Sequence, residues 1–230
     1  MFKIYYFFSI SLLLIAFTAD IQLLKPKVFV IGDSISIQYG PYLKNSLNGF
    51  FEYDRKRDDG QALKDLDNPV GANGGDSKMV LDYLKKLQDS VGFATDYLVI
   101  NCGLHDIKTK PATGEVQVSL ALYKKNLDSI IGISKKLGAE LVWINTTPVI
   151  DSIHNRKASF HRFSKDVLRY NQEAGKLMAD ADISVIDLFT FTQKFGPEAY
   201  KDHVHFHNEI REKQADFIAG QLVALKNFEK

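Results

Sequence analysis

A chain of 230 residues, 45% hydrophobic and 25% charged, has the makeup of one globular domain or two small ones, and not of a fibre, a disordered tail or a multi-span membrane protein. With 29 Lys and Arg against 28 Asp and Glu, it presents no field that would draw a nucleic acid. Its single cysteine, Cys102, excludes an internal disulfide framework and any multi-thiolate metal site within one chain.

Residues 1–19 read as a segment apart. Lys3 is followed by uncharged, apolar sequence from Ile4 to Ala19, the pattern of a signal peptide with small residues on offer at Ala16, Thr18 and Ala19. This run is shorter than the roughly 20 residues a spanning helix needs, so cleavage near Thr18 to Asp20 is the expectation over retention as an anchor. The expected product is an exported domain, periplasmic or secreted, from residue 20 to 230, with no stable membrane span after processing. Loss of Lys3 would bring the net charge from +1 to zero.

From there strand-like and helix-like segments alternate. Lys27 to Ile31 reads as a buried strand, and Ile37 to Leu47 as a short helix interrupted by Gly40-Pro41. Phe50 to Tyr53 reads as a second strand, followed by a charged surface loop from Arg55 to Asp67. Ser77 to Val91 carries apolar residues at 80, 81, 84, 87 and 91, a helical stripe. Tyr97 to Ile100 is strand-like, and Val116 to Leu137 is a long helical pattern that Gly138 stops. Glu140 to Ile144 is another buried strand, then Asp151 to Arg162 a polar, basic loop. Phe163 to Ala179 is helical, Ser184 to Leu188 a fifth strand, and Glu209 to Leu225 a closing helix. Alternation of this kind implies βαβ units, a parallel sheet and a single three-layer α/β/α domain, with chemistry at the carboxyl ends of the strands.

Those ends carry polar motifs. The first strand runs into Gly32-Asp33-Ser34, where glycine permits a sharp turn and a serine at a helix N-terminus meets free N–H groups. By itself this is an ordinary helix cap. Near the other end, Asp202 and His205 stand three apart, a spacing that lets the carboxylate hold Nδ1 while Nε2 takes a proton. Between them lie a Gly-rich turn, Ala72 to Ser77, whose Gly75 N–H could face an oxyanion or belong to a plain turn, and the strand ends at Asn101 to Asp106 and Asn145 to Pro148.

Taken together, Gly32-Asp33-Ser34, Gly75, Gly103-Leu104-His105-Asp106 and Asp202-His203-Val204-His205 resemble the four blocks of the SGNH (GDSL-type) hydrolases, in order and over nearly all the chain after residue 19. The resemblance implies a flavodoxin-like fold of about five parallel strands and a metal-free, cofactor-free serine esterase. It implies Ser34 as nucleophile, His205 as base and Asp202 as its orienter. The implied oxyanion hole combines the N–H groups of Ser34 and Gly75 with a side chain of the third block. That block departs from the family, with His105 where the family has Asn. An imidazole can donate an N–H, so the swap is chemically workable, with Asn101 a weaker substitute donor. Asp106 is expected to tie its loop together. The expected substrate is a small-molecule or carbohydrate ester, acetyl foremost, with lysophospholipase or acyl thioesterase as alternative.

Two other classes compete. All six histidines fall between 105 and 207, and His203, His205 and His207 alternate, a pattern open to metal ligation. A metallophosphoesterase, however, needs an Asp-x-His on the first strand, where this chain has Val28 to Ile31. A non-catalytic binding module is supported only by the His105 swap. His203 and His207 are expected to pack or face water. His154 and His161, flanking Arg156, Lys157 and Arg162, are expected on a solvated face, and Cys102 in a packing role.

Overall fold

The computed structural model describes residues 24–228, so the signal-peptide and cleavage expectations lie outside the described residues. Five parallel strands form one sheet: β1 Lys27–Ile31, β2 Glu52–Arg55, β3 Tyr97–Ile100, β4 Glu140–Ile144 and β5 Ser184–Ile186, in the order β2-β1-β3-β4-β5. The helices are α1 Ser34–Ser46, α2 Gln61–Lys64, α3 Ser77–Gln88, α4 Leu120–Lys136, α5 Asp151–Lys157, α6 Ser164–Asp180, α7 Leu188–Gln193 and α8 Asn208–Phe228. Among the described residues no helix is long and apolar enough to cross a membrane.

The strand sequences explain the layering. β1, β3 and β4 are continuous apolar runs, buried from Val28, Tyr97 and Leu141 onward, as strands covered on both faces must be. β2 carries Glu52, Asp54 and Arg55 and lies at the edge. The chain winds outward from β1 to β2, then returns past β1 to lay down β3, β4 and β5. With right-handed crossovers, that reversal puts α1 on one face and α3 on the other. Accordingly α1 packs on α8, while α3 packs on α4 and α4 on α6. This is the three-layer α/β/α arrangement with flavodoxin-like strand order. The switch point lies between β1 and β3. Ile31 pairs in register with Ile100, and Ile100 with Trp143, so these strands end level and their following loops face one another.

Several boundaries differ from the sequence expectation. α1 begins at Ser34 because Asp33 caps it, its Oδ1 accepting from the Ile35 N–H at 2.9 Å. The helix runs through Gly40-Pro41, with Pro41 on its exposed side. β2 is displaced to Glu52–Arg55. α4 starts only at Leu120 because Ser119 caps it and Val116 instead pairs with Thr109. The 151–162 segment contains α5, whose seven residues are too few to show an apolar stripe. β5 stops at Ile186 because Asp187 caps α7, accepting from the Thr190 N–H at 3.0 Å.

Candidate active site

Ser34 is the first residue of α1, directly beyond β1, and only 4% exposed. Its own N–H belongs to the first turn of the helix and finds no acceptor among the described residues. Ser34 Oγ lies 2.9 Å from His205 Nε2. On the other side of the ring, His205 Nδ1 is 2.9 Å from Asp202 Oδ2 and 3.1 Å from Oδ1. With Nδ1 donating to the carboxylate, Nε2 carries the lone pair that accepts the Ser34 proton. Asp202 also accepts the backbone N–H groups of Val204 at 2.9 Å and His205 at 2.8 Å, so one carboxylate shapes the turn and aims the ring. Burial would raise the Asp202 carboxyl, but these bonds outweigh it and hold the group well below the usual carboxylate range. Buried Phe206, paired with Tyr200, anchors the segment.

Opposite this line lies the loop after β3. Gly103 sits at φ +151°, and a Cβ there would come within 2.2 Å of Thr146 Oγ1, so the loop follows β4 as closely as it does only with glycine. Asp106 ties it to α3 by accepting the Ser77 N–H and hydroxyl. Burial pushes Asp106 up to about 8, against the bonds from Ser77. His105, between these two anchors, is 1% exposed, and its Nδ1 has no hydrogen-bond partner. Burial, reinforced by the charges of Lys108 and Arg162, holds His105 well below the usual imidazole range, so it is a neutral ring. The Asn101 amide donates to the Ile144 carbonyl at 2.9 Å, which holds this side chain against the end of β4.

The Gly-rich turn reaches the same place differently from expectation. The Gly74 N–H donates to Gly32 O at 2.8 Å and stitches the turn to the end of β1. The Gly75 N–H, expected to be bare, donates to Asn73 Oδ1 at 2.9 Å. It can reach an oxyanion only by leaving or sharing that bond.

Around this centre stands a second set of groups to which the resemblance gives no role. His203 Nε2 contacts Asp67 Oδ2 at 2.9 Å, and its ring lies 5.8 Å from that of His205 and 4.8 Å from that of His154. His154 and Arg162, expected on a solvated face, are buried. Arg162 donates from Nε to Leu104 O at 2.6 Å and from Nη1 to His154 Nε2 at 2.9 Å. That contact makes His154 Nε2 an acceptor and puts its proton on Nδ1, toward Asn155 Oδ1. Burial, then the Arg162 charge, lowers His154 to about 3. His207 is exposed. Cys102 is fully buried and its thiol is pushed far up by burial, which suits packing and not attack.

Ligating atoms of Asp202, His203 and His205 lie within 4.8 Å of one another, a grouping that could hold a metal ion. Yet both His205 nitrogens and the His203 Nε2 are already engaged by Ser34, Asp202 and Asp67. The donor set is better matched to proton transfer than to a cation.

The pattern of the GDSL-like Lipase/Acylhydrolase family matches residues 30–211. No curated protein matches the chain. Among solved structures, an acetyl xylan esterase is 19% identical with a TM-score of 0.62, covering 85% of this chain and 99% of that one. A psychrotrophic esterase from Pseudoalteromonas sp., inhibited by monoethylphosphonate, is 12% identical with a TM-score of 0.60, covering 88% of this chain and 100% of its own. A carbohydrate acetylesterase from Sinorhizobium meliloti is 14% identical with a TM-score of 0.57, covering 87% and 100%.

Proposed function

Because this chain belongs to the GDSL-like lipase/acylhydrolase family, whose chemistry is ester hydrolysis by a serine, we propose that it is an exported esterase that removes acetyl groups from carbohydrate through a Ser34 acyl-enzyme. The observation that carries the reading is the unbroken line from Asp202 through His205 to Ser34 Oγ, with 2.9 Å contacts on both sides of the ring.

The steps follow from that line. Ser34 Oγ attacks the ester carbonyl as His205 Nε2 takes its proton, and Asp202 stabilises the imidazolium that forms. Negative charge on the carbonyl oxygen develops beside the free Ser34 N–H and the His105 ring. The tetrahedral species collapses, the alcohol leaves with the proton from His205, and acetyl stays on Ser34. Water, deprotonated by His205, then releases acetate.

A short acyl group is favoured by the surroundings. The nucleophile is nearly buried, and the charges that act on the neighbouring His105 ring include those of Lys108, Arg162 and Asp67. A long fatty chain would strand them without water. Two structures of similar fold are named as acetylesterases. Export rests on the sequence of residues 1–19, and the N-terminus of the mature protein should lie near Asp20.

The test is Ser34→Ala. Turnover of p-nitrophenyl acetate should fall on the order of 10⁴-fold or more, and phosphonate labelling should vanish. Labelling that persists in the variant overturns the reading. Against butyrate and octanoate with the same leaving group, acetate should give the highest kcat/KM. Chelator should leave turnover unchanged, and a loss would move the reading to the metal grouping.

A further inference from the structure

Beyond Asp106 the His105 loop runs into a miniature sheet separate from the five main strands. Thr109 pairs antiparallel with Val116 on one side and with His161 on the other. The Thr109 N–H donates to His161 O at 2.8 Å, and the Thr109 carbonyl accepts from the His161 N–H at 2.9 Å. On the other side the Gln117 N–H donates to Lys108 O at 2.7 Å, and the Lys110 N–H to Glu115 O at 2.9 Å. Residues paired directly across strands point to one face, and their neighbours along each strand point to the other. Thr109, Val116 and His161 therefore share one face. Lys108, Lys110, Glu115, Gln117 and Phe160 share the opposite one, and all five line a cavity of about 330 Å³, with Thr109 and Val116 completing its wall.

The three loops that meet at Ser34 border this cavity. Lys108 continues the loop that carries His105. Gln117 Nε2 donates to Asp76 Oδ2 at 2.7 Å, directly beyond the Gly75 turn. The Phe160 ring lies 6.4 Å from the His203 ring, which lies 5.8 Å from that of His205, whose Nε2 is 2.9 Å from Ser34 Oγ. Asp67 closes the corner, its carbonyl accepting from Lys108 Nζ at 2.8 Å and its carboxylate held by His203 at 2.9 Å. Lys108 Nζ at 4.3 Å and the Arg162 guanidinium at 4.8 Å sit over the Phe160 ring, so this wall stands in place before a ligand arrives. The lining is mixed in character. Phe160 and Val116 offer apolar surface, Lys110 and Gln117 offer N–H donors, and Glu115 and Gln117 offer acceptors. Lys110 and Glu115 bond each other at 2.8 Å, but both are exposed, and so weak a pair can turn to a ligand hydroxyl.

We propose that this cavity is a sugar subsite, which holds the residue next to the one whose ester lies at Ser34, so that the substrate is an acetylated oligosaccharide or polysaccharide and not a lone sugar. The proposal rests on the acetylesterase reading for what lies at Ser34. A sugar ring has apolar C–H faces and a rim of hydroxyls that both donate and accept, which the lining matches on each count. A fatty chain would strand Lys110, Glu115 and Gln117 without water. An anion would meet the Glu115 carboxylate.

The experiment compares kcat/KM for a trisaccharide acetylated on its central residue with that for the methyl glycoside of the same acetylated sugar, in the xylose, glucose and galactose series. In at least one series the wild type should favour the trisaccharide by about 10-fold or more, mostly through KM. In that series Phe160→Ala should bring the ratio close to one, and Phe160→Tyr should keep most of it. Lys110→Ala and Gln117→Ala should each lower it by a smaller factor. Lys165→Ala, in the cavity on the opposite face of the small sheet, should leave the ratio as in the wild type. Turnover of p-nitrophenyl acetate with a ratio near one in all three series overturns the subsite and leaves the esterase reading standing. A preference that Lys165→Ala removes, and that Lys110→Ala and Gln117→Ala do not touch, overturns it as well, because the chain would then lie on the other face. If Phe160→Ala does not fold, the Lys110→Ala and Gln117→Ala ratios decide. Calorimetric binding of the unacetylated trisaccharides, against the methyl glycosides as control, gives an answer independent of turnover. A protein that hydrolyses no ester but binds a trisaccharide, and binds it less well after Lys110→Ala and Gln117→Ala, would sink the esterase reading and keep the subsite.

Discussion

The two flanks of Ser34 are built to opposite rules. Toward His205 the line is closed: the hydroxyl, both ring nitrogens and both Asp202 oxygens are bonded. Toward His105 it is open: among the described residues neither His105 Nδ1 nor Asp33 Oδ2 has a hydrogen-bond partner. The difference follows from when each flank acts. The proton relay must be aligned before the ester arrives, so its partners are all in the chain. The opposite flank answers to charge that appears on the ester during reaction. Donors fixed in advance toward a charge not yet present need little reorganisation when it forms.

The largest effect expected from breaking the closed flank without unfolding it is that of Asp202→Asn. The amide keeps one acceptor for the turn but disfavours the tautomer that leaves Nε2 free. The expected loss in kcat is on the order of 10⁴-fold, measured on p-nitrophenyl acetate, with little change in KM. A loss under tenfold would show that the carboxylate is not what sets the His205 ring. The open flank should give less. His105→Ala should lower kcat by about 10² to 10³-fold, the range for one oxyanion donor, while His105→Asn should retain most of the rate because it keeps an N–H. If alanine and asparagine fall alike, the ring acts through packing and not as a donor. The pH profile sharpens this. Burial first, then the charges of Lys108 and Arg162, hold His105 well below the usual imidazole range, so it is neutral at neutral pH and above. Its removal should therefore leave the shape of log kcat against pH between 7 and 9 unchanged. A wild-type rate that falls with rising pH, and does so only when His105 is present, would mean that imidazolium is the working form.

The closed flank was legible in the sequence, and the open one much less so. Asp202 and His205 could be paired because the relay uses short-range spacing, three residues apart, while Ser34, an ordinary cap by itself, was marked by the resemblance of the four blocks. The sheet was legible for a similar reason. β1, β3 and β4 are apolar on both faces, and their bounds match the expected ones. The helices α5 and α7 escaped because seven and six residues cannot display a 3.6-residue period. Arg162 and His154 escaped for a different reason. Among Arg156, Lys157 and His161 they look like members of one solvated face, and only the pairing of Thr109 with His161 turns this end of the segment inward. The fate of the Gly75 N–H depends on a rotamer of Asn73, which no spacing encodes.

The smallest effect on rate is expected at Asp106, where the readout is stability. Asp106 anchors the His105 turn to Ser77 from a fully buried position, and burial pushes it up to about 8. Unfolded, an aspartate titrates near 3.9. Below about pH 4 the carboxyl is protonated in both states and places no electrostatic load on the fold. Between about 4 and 8 the unfolded chain gives up the proton while the native state keeps it, so the unfolded state gains and stability declines as pH rises. Asp106→Asn mimics the protonated carboxyl, keeps an acceptor for Ser77 and does not titrate. The melting temperatures of wild type and variant should therefore be close at pH 4 and diverge toward pH 8, the variant being the more stable there. Other titrating groups are common to both proteins and cancel in the difference. Activity of the variant on p-nitrophenyl acetate should stay within about tenfold, because the turn keeps its anchor. A difference in melting temperature that is flat from pH 4 to 8 would mean that Asp106 is ionised throughout. The bonds from Ser77 would then outweigh burial, and the open flank would carry a negative charge directly behind His105.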